Sequence, residues 1–400
     1  MEKLTTLDAL IIGGGPAGAT TGLLLAEAGW SVGIVEKKNF PRRKVCGEYI
    51  SATSLPLLQK LGIADLYLSA SGPEIRRVGL YVSDTMLESQ MPAVNNPQAK
   101  WGRAFGREHL DTALLNRAVC NGVTLWQPAF VRSLQKNSDL FHCTIEVNDT
   151  IETISAPVVV IANGSWERPI TEADNNVHKP SDLLAFKAHF KNCALASELM
   201  PLIAFPGGYG GLVHSDNGRV TLSCCIRRDM LQVARKNCPG KTAGDAILHH
   251  ITSACRGVRT VLTPAERYGS WLAAGPIRPG IRKRFANDLF FVGNTAGEAH
   301  PIVAEGISMA MQSSWLLSEA LIKRGKDSNA NTSLSEVGSE YSRQWRRHFA
   351  NRIHAAALFA HIAMHPWSQV LILPILKRFP EIITFGAKLS GKIEQVVPIK

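Results

Sequence analysis

No stretch of this sequence stays apolar for the about 18 residues that a membrane-crossing helix needs, so a spanning segment is not expected. The 8 cysteines are scattered, without a Cys-x-x-Cys pair. That argues against a disulfide framework and a zinc site, fits a reducing, cytoplasmic setting, and leaves no metal expected. The chain runs from Met1-Glu2-Lys3 through a short apolar stretch, Leu10 to Ile12, straight into glycines, and so lacks the core and cleavage site of a secretory signal. Internal repeats and low-complexity segments are missing too. With 45% hydrophobic and 19% charged residues, the 400-residue chain can bury a large core as two domains, or as one with an insertion.

Acidic residues are the scarcer charge, 33 against 44 Lys and Arg, leaving a net charge of +11. Nucleic acid is not the expected partner, because no basic-aromatic interleaving or reader motif is present. One basic cluster, Lys37, Lys38, Arg42, Arg43 and Lys44, suits a pyrophosphate or an incoming nicotinamide nucleotide. A second, Lys323, Arg324, Lys326, Arg343, Arg346, Arg347 and Arg352, precedes an apolar stretch, Ala355 to Ile375, broken by His361, His365, Pro366 and Pro374. That stretch is either a C-terminal helical pack with solvated faces or a segment lying in a membrane interface.

The strongest local signal is near the start. Asp8 to Ile12 is a compact buried-strand pattern that runs into Gly13-Gly14-Gly15-Pro16-Ala17-Gly18, and Ala19 to Trp30 reads as an Ala/Leu-rich helix. Gly13 permits the tight turn, Gly15 lets the backbone approach a pyrophosphate beside Ala17, and Gly18 lets helix and strand pack closely. The helix N-terminus then offers free N–H groups to phosphate. A second strand, Ser31 to Val35, ends in Glu36, placed to accept the ribose hydroxyls of an adenosine. Glu36 would repel a 2′-phosphate, so NAD or FAD is expected rather than NADP. This is a Rossmann-type βαβ unit.

Leu289 to Val292 followed by Gly293-Asn294-Thr295-Ala296-Gly297, then His300-Pro301 and the Gly306-Ile307 helix, repeats strand, glycine turn and helix near the far end. The pair of turns resembles the FAD-dependent group of p-hydroxybenzoate hydroxylase-like aromatic-ring hydroxylases and geranylgeranyl reductases. The resemblance implies that the first turn binds the ADP half of FAD, and that Asn294, Gly306 and Ile307 hold the ribityl chain and flavin. Arg107-Glu108-His109-Leu110-Asp111 matches the group's Arg-x-x-Leu-Asp helix, which implies that Arg107 reaches the cofactor and that the Val131 backbone meets the adenine. Lys44-Val45-Cys46-Gly47-Glu48 looks like the reductase branch, where the Cys46-Gly47 backbone lines the flavin, and Pro206 to Ile226 resembles that branch's Gly-Tyr-Gly hairpin. Asn217-Gly218 between apolar runs supports the hairpin independently. Three positions depart from the pattern: Asn163 and Asn294 stand for aspartates, and Ala304 for a glycine. The Trp-x-Trp-x-Ile-Pro segment of flavin-dependent halogenases is absent, which argues against halogenation.

These anchors predict an α/β fold: a discontinuous FAD-binding domain from residues 1–75, 100–175 and 275–335, an inserted antiparallel-sheet substrate domain from 76–99 and 176–274, and a helical C-terminal region from 336–400. Asp327 to Ser333 reads as a polar loop. No second GxGxxG unit is present for a nicotinamide nucleotide, so NADH or NADPH would visit transiently. Reduced flavin either delivers a hydroxyl from O₂ to an electron-rich ring or donates hydride to a double bond. Hydroxylation is the broader use of the architecture and is favoured, with reduction as the alternative. His300 and Glu305 are the acid/base candidates, and a lipophilic or aromatic small molecule is the expected substrate. A non-catalytic lipid carrier of the same fold, like the Rab escort and GDP-dissociation-inhibitor proteins, is the alternative from another class.

Overall fold

The computed structural model describes residues 3–165, 178–326 and 332–398. Strand β1 (Ala9–Ile12) is wholly buried and turns into α1 (Pro16–Glu27). The helix lies earlier than its Ala/Leu composition suggests. Pro16 occupies the first helical position, where its missing N–H costs nothing, and Gly29, at φ 82°, closes the other end. The chain continues through β2 (Val32–Val35), the hairpin β3 (Arg77–Val82) and β4 (Thr85–Gln90), α2 (Arg107–Cys120), β5 (Thr124–Trp126) and β6 (Val158–Ile161). It then builds β7 (Leu183–Lys191), β8 (Leu199–Phe205), β9 (Gly208–His214), β10 (Val220–Arg227) and β11 (Glu266–Ile277), before returning to β12 (Leu289–Phe291) and α3 (Gly306–Arg324).

Among the described residues, one sheet has the order β12-β6-β1-β2-β5, all parallel, with a short antiparallel strand, Phe285–Ala286, on the β12 edge. Parallel strands of this kind are covered on both faces and so read as continuous Val/Ile/Leu runs, as Val158–Ile161 does. A second sheet of seven strands, β11-β7-β10-β9-β8-β3-β4, draws on residues 77–90 and 183–277. The hairpin expected at Asn217-Gly218 joins β9 to β10, with Asn217 at φ 55° and Gly218 at 65°. A third sheet, of Lys3–Thr6, Thr150–Ala156, Leu140–Val147 and Ala129–Asn137, had no sequence signal. Most of the expected polar loop from Asp327 lies outside the described residues.

The C-terminal region is α4 (Leu334–Met364), α5 (Pro366–Arg378) and α6 (Glu381–Leu389). A capping box starts α4: the Ser333 hydroxyl accepts from the Glu336 amide and the Glu336 carboxylate accepts from Ser333. Trp345, Phe349 and Arg352 bury one face of α4. Arg352 therefore does not join a solvated basic surface; it is 1% exposed and pairs with Glu394 at 3.2 Å. Helices α4 and α5 meet at a 104° bend, and no single helix among the described residues is long and apolar enough to cross a membrane.

The tail is fastened to the core by a buried ion pair. Lys392 Nζ donates to Glu305 Oε1 at 2.5 Å and to the Val303 carbonyl at 2.7 Å, and lies 4.6 Å from the centre of the Tyr49 ring. Burial pushes the Lys392 ammonium pKa down, with Glu305 opposing the shift. Removing one member of such a pair leaves an uncompensated buried charge, at a cost of about 3–5 kcal/mol. Glu305→Leu should lower unfolding stability by that amount in urea titrations, and Glu305→Leu/Lys392→Met should recover most of it. Equal losses in single and double variants would show that the pair does not hold the tail.

Candidate functional site

The carboxyl ends of β1, β2, β6 and β12 stop at the same level: Ile12 pairs with Val35 and Ile161, and Ile161 with Phe291. Crevices beyond such edges are where open parallel sheets bind ligands. A cavity of about 610 Å³ opens there and extends under β8, β9 and β10 of the second sheet.

Its nucleotide end is a backbone cradle. Gly13 is at φ 109°, and a Cβ on it would lie 2.7 Å from the Ala162 carbonyl, so only glycine fits where the turn crosses β6. A Cβ on Gly18 would come within 1.8 Å of the Gly13 carbonyl oxygen, which explains its place behind the cavity wall rather than on it. Gly15, the N-cap of α1, has open space where a Cβ would be and no side-chain cap, and Gly306, at the start of α3, is equally open. Two helix N-termini thus face one cavity with uncapped N–H groups, an arrangement suited to anionic or acceptor groups. Glu36, 4% exposed, accepts from the amides of Gly14 and Lys38, each at 2.8 Å, and Arg42 lies 3.4 Å away.

Gly13, Gly15, Ala17, Glu36, Cys46, Gly47, Arg107, Val131, Asn294, Gly306 and Ile307 all line this cavity. Arg107 is fixed by a bidentate pair to Asp111 at 2.6 and 2.7 Å. Asn294 donates its amide to Glu298 at 2.9 Å, so a carboxylate stands one residue shell behind the expected aspartate position. Ala304 adopts φ 51°, the left-handed conformation that the glycine it replaces would take without strain.

The two acid/base candidates are placed otherwise. Neither His300 nor Glu305 is among the lining residues. Glu305 is fully buried and held by Lys392, so its carboxylate is a structural anchor and not an acid facing a ligand. His300 stands behind Tyr209, whose hydroxyl lies 3.0 Å from His300 Nδ1, and it is Tyr209 that lines the cavity. Burial pushes the His300 imidazole pKa down to about 4, and burial, with Cys225 and Glu298 nearby, pushes the Tyr209 phenol well above its ordinary range.

Three further lining groups are Lys44, from the basic cluster already noted, and Glu298 and Glu48, which carried no sequence signal of their role. Lys44 is pushed down to about 8 by burial and by Arg107 and Arg42. Glu298 is pushed up by burial, against the pull of Arg282. Glu48, at φ 63° and fully buried, accepts from Thr221 Oγ1 at 2.5 Å, lies 3.2 Å from His189 Nε2, and pairs with Lys187. Burial alone would raise its pKa; the His189 hydrogen bond and the Lys187 charge outweigh it and hold the carboxyl well below the ordinary range. Because Lys187, His189 and Thr221 come from β7 and β10, Glu48 ties the Cys46-Gly47 turn to the second sheet.

A family model described as FAD binding domain matches residues 6–348. The chain is 21% identical over 413 aligned positions to menaquinone reductase of Mycolicibacterium smegmatis, covering 97% of this chain and 92% of that one. It is 24% identical to digeranylgeranylglycerophospholipid reductase 1 of Methanothermobacter thermautotrophicus, covering 88% and 85%. It is also 24% identical to conditioned medium factor receptor 1 of Dictyostelium discoideum, over 79% of this chain and only 63% of that protein. Among solved structures, a myxobacterial chondrochloren halogenase superposes with a TM-score of 0.78 at 17% identity, over 97% of this chain and 91% of that one. At that identity the likeness shows the fold alone, and leaves the expectation against halogenation where the sequence put it.

The cradle fits FAD: open positions at Gly15, Gly47 and Gly306, two uncapped helix starts and a buried Glu36 are where its phosphates, ring edge and ribose would meet protein. Glu36→Ala removes a charged acceptor from two amides, a loss of about 1.5–3 kcal/mol per bond. FAD should bind the apoprotein at least about tenfold more weakly in a fluorescence titration, with Glu36→Asp intermediate. Undiminished binding would remove Glu36 from the site. Glu48 predicts a pH signature. A depressed carboxyl stabilises the fold fully above the ordinary value of 4.5 and loses that contribution as pH falls towards the folded value. The melting-temperature gap between wild type and Glu48→Gln should therefore be wide at pH 7 and shrink below pH about 4.5; a gap independent of pH would mean that the charge is not what matters.

Proposed function

The chain belongs to the FAD binding domain family and is an FAD-dependent oxidoreductase, and from that premise we propose that it is an NAD(P)H-driven monooxygenase hydroxylating a lipophilic, phenol-bearing small molecule. Bound FAD would carry two electrons from NADH or NADPH to O₂; the balanced reaction takes substrate, O₂, reduced nucleotide and a proton to hydroxylated substrate, water and oxidised nucleotide. The observation that carries the reading is the Tyr209–His300 pair. It sets a hydroxyl in a wall that Met200, Leu202, Leu212, Val213 and Ser223 also line.

A mostly apolar wall with a few placed hydroxyls binds a ring and orients its oxygen. With His300 neutral, the Tyr209 hydroxyl donates to Nδ1 and its oxygen is free to accept from a substrate phenol. A substrate phenol that donates to the Tyr209 oxygen is polarised by that hydrogen bond and held in one orientation while its ring is attacked. The same pair is a poor proton donor to carbon, since the phenol is pushed up and the imidazole is uncharged at neutral pH.

A second reading, hydride transfer to a carbon-carbon double bond, is favoured by Glu298, a buried lining carboxyl pushed up towards its protonated form, which would suit an acid. Oxygen separates the two. Under the proposal, NADPH- or NADH-dependent turnover of lipophilic phenols such as alkylresorcinols stops without O₂ and incorporates one ¹⁸O atom per product. Tyr209→Phe should keep its FAD spectrum while losing about 10²-fold in turnover. Anaerobic saturation of an alkene, or unchanged turnover in Tyr209→Phe, would replace hydroxylation with reduction.

A further inference from the structure

Helix α5 is amphipathic the wrong way round. Its buried positions include Ser368 and Gln369, whose side chains donate to the Ile362 and Ala363 carbonyls of α4 at 2.9 and 2.8 Å. Its outward stripe is Trp367, Val370, Leu371 and Ile375, exposed by 60, 71, 66 and 51%. The spacing i, i+3, i+4, i+8 puts all four on one helical face. Helix α6 continues the surface with Phe385 and Leu389, 57 and 49% exposed, and buries no residue fully. Apolar side chains scattered singly over a surface mean little, but a contiguous patch on successive helices marks a docking site.

We infer that α5 and α6 form a pad that lies in the interface of an anionic lipid bilayer. Charge argues for this occupant. Lys377, Arg378 and Lys388 stand exposed beside the apolar stripe against a single exposed carboxylate, Glu381, on the same two helices, within a chain of net charge +11. Basic residues beside an interfacial helix gain about 1 kcal/mol each at an anionic surface. A two-fold interface with a second copy would instead bring like cations towards one another. Continuity with the cavity argues the same way. The inner side of α6, Ile383 and Ala387, packs on the apolar cluster that contains the cavity-lining Tyr49, Met200 and Val213. The pad and the apolar end of the cavity are thus two sides of one helix. Among the described residues no single helix is both long and apolar enough to cross a membrane, and an apolar stripe flanked by basic residues suits lying on a bilayer. The inference concerns a surface and holds whichever reaction the flavin site performs.

The FAD-loaded full-length protein would be mixed with phosphatidylcholine vesicles, with and without phosphatidylglycerol, and sedimented. The expected result is co-sedimentation with the anionic vesicles, weakened by salt, and loss of about tenfold or more in partitioning for Val370→Glu/Leu371→Glu and for Phe385→Glu. These side chains are exposed, so retention of the flavin spectrum and melting temperature certifies folded variants. No sedimentation with either vesicle would overturn the inference. So would a wild-type dimer in light scattering that becomes monomeric in the variants without any vesicle binding, since the pad would then be a self-association surface.

Discussion

The backbone N–H groups that open α1 and α3 have no side-chain caps, and most of the architecture serves to hold both helix starts open towards one space. An uncapped helix start inside a protein costs free energy until something polar meets it. The protein keeps two of them within one cavity by stacking β12, β6, β1 and β2 in parallel register so that each strand ends at the same edge. Gly13 and Gly18 let turn, strand and helix touch backbone to backbone there, at distances no side chain would permit. Ser314 Oγ reaches from α3 to the Ala17 carbonyl at 2.8 Å and locks the two helices together. Ligand binding is therefore prepared by folding: the polar groups are already dehydrated and aimed, and a dinucleotide replaces a penalty instead of imposing one.

Around this cradle the buried carboxylates have separate tasks, each set by its partner. Glu36 accepts amides and faces the nucleotide end. Glu48 is neutralised by Lys187 and orients the turn that contains Cys46. Glu305 is neutralised by Lys392 and joins the C-terminal tail to the start of α3. Glu298 lines the cavity with Arg282 3.4 Å away, and burial raises its pKa. Glu298 is also one of the groups that push the nearby Tyr209 phenol up. A buried charge is kept where geometry must be exact, and softened where protons must move.

What the sequence disclosed follows the range of the interaction. The first βαβ unit was legible down to Glu36 because strand, turn, helix and acidic residue are successive and each obeys a local rule. The lining positions Arg107, Asn294 and Gly306 came from a resemblance, and the cavity contains them. The two acid/base candidates are placed by contacts of longer range, Glu305 on Lys392 and His300 behind Tyr209. Nothing near Glu305 announces that Lys392 will fill its pocket, and nothing near His300 announces that Tyr209, far away on β9, will stand between it and the cavity. In the sheet of residues 3–6 and 129–156, Ala129–Asn137 alternates only weakly between buried and exposed positions, although Leu140–Val147 alternates regularly.

The C-terminal segment shows why periodicity alone does not settle orientation. A stripe at i, i+3, i+4 and i+8 is ordinarily the buried face of a surface helix, and the sequence leaves that reading open beside a membrane interface. What decides the matter is at either end of α5. Ser368 and Gln369 follow directly on the 104° bend, and their side chains supply hydrogen bonds to the carbonyls that the end of α4 leaves without helical partners. Satisfying those carbonyls fixes the rotation of α5 about its own axis, and that rotation turns Trp367, Val370 and Leu371 outward. The apolar surface is thus a consequence of a polar requirement at a helix end. The fold continues it onto the outer side of α6, whose inner side packs on the apolar cluster of Tyr49, Met200 and Val213.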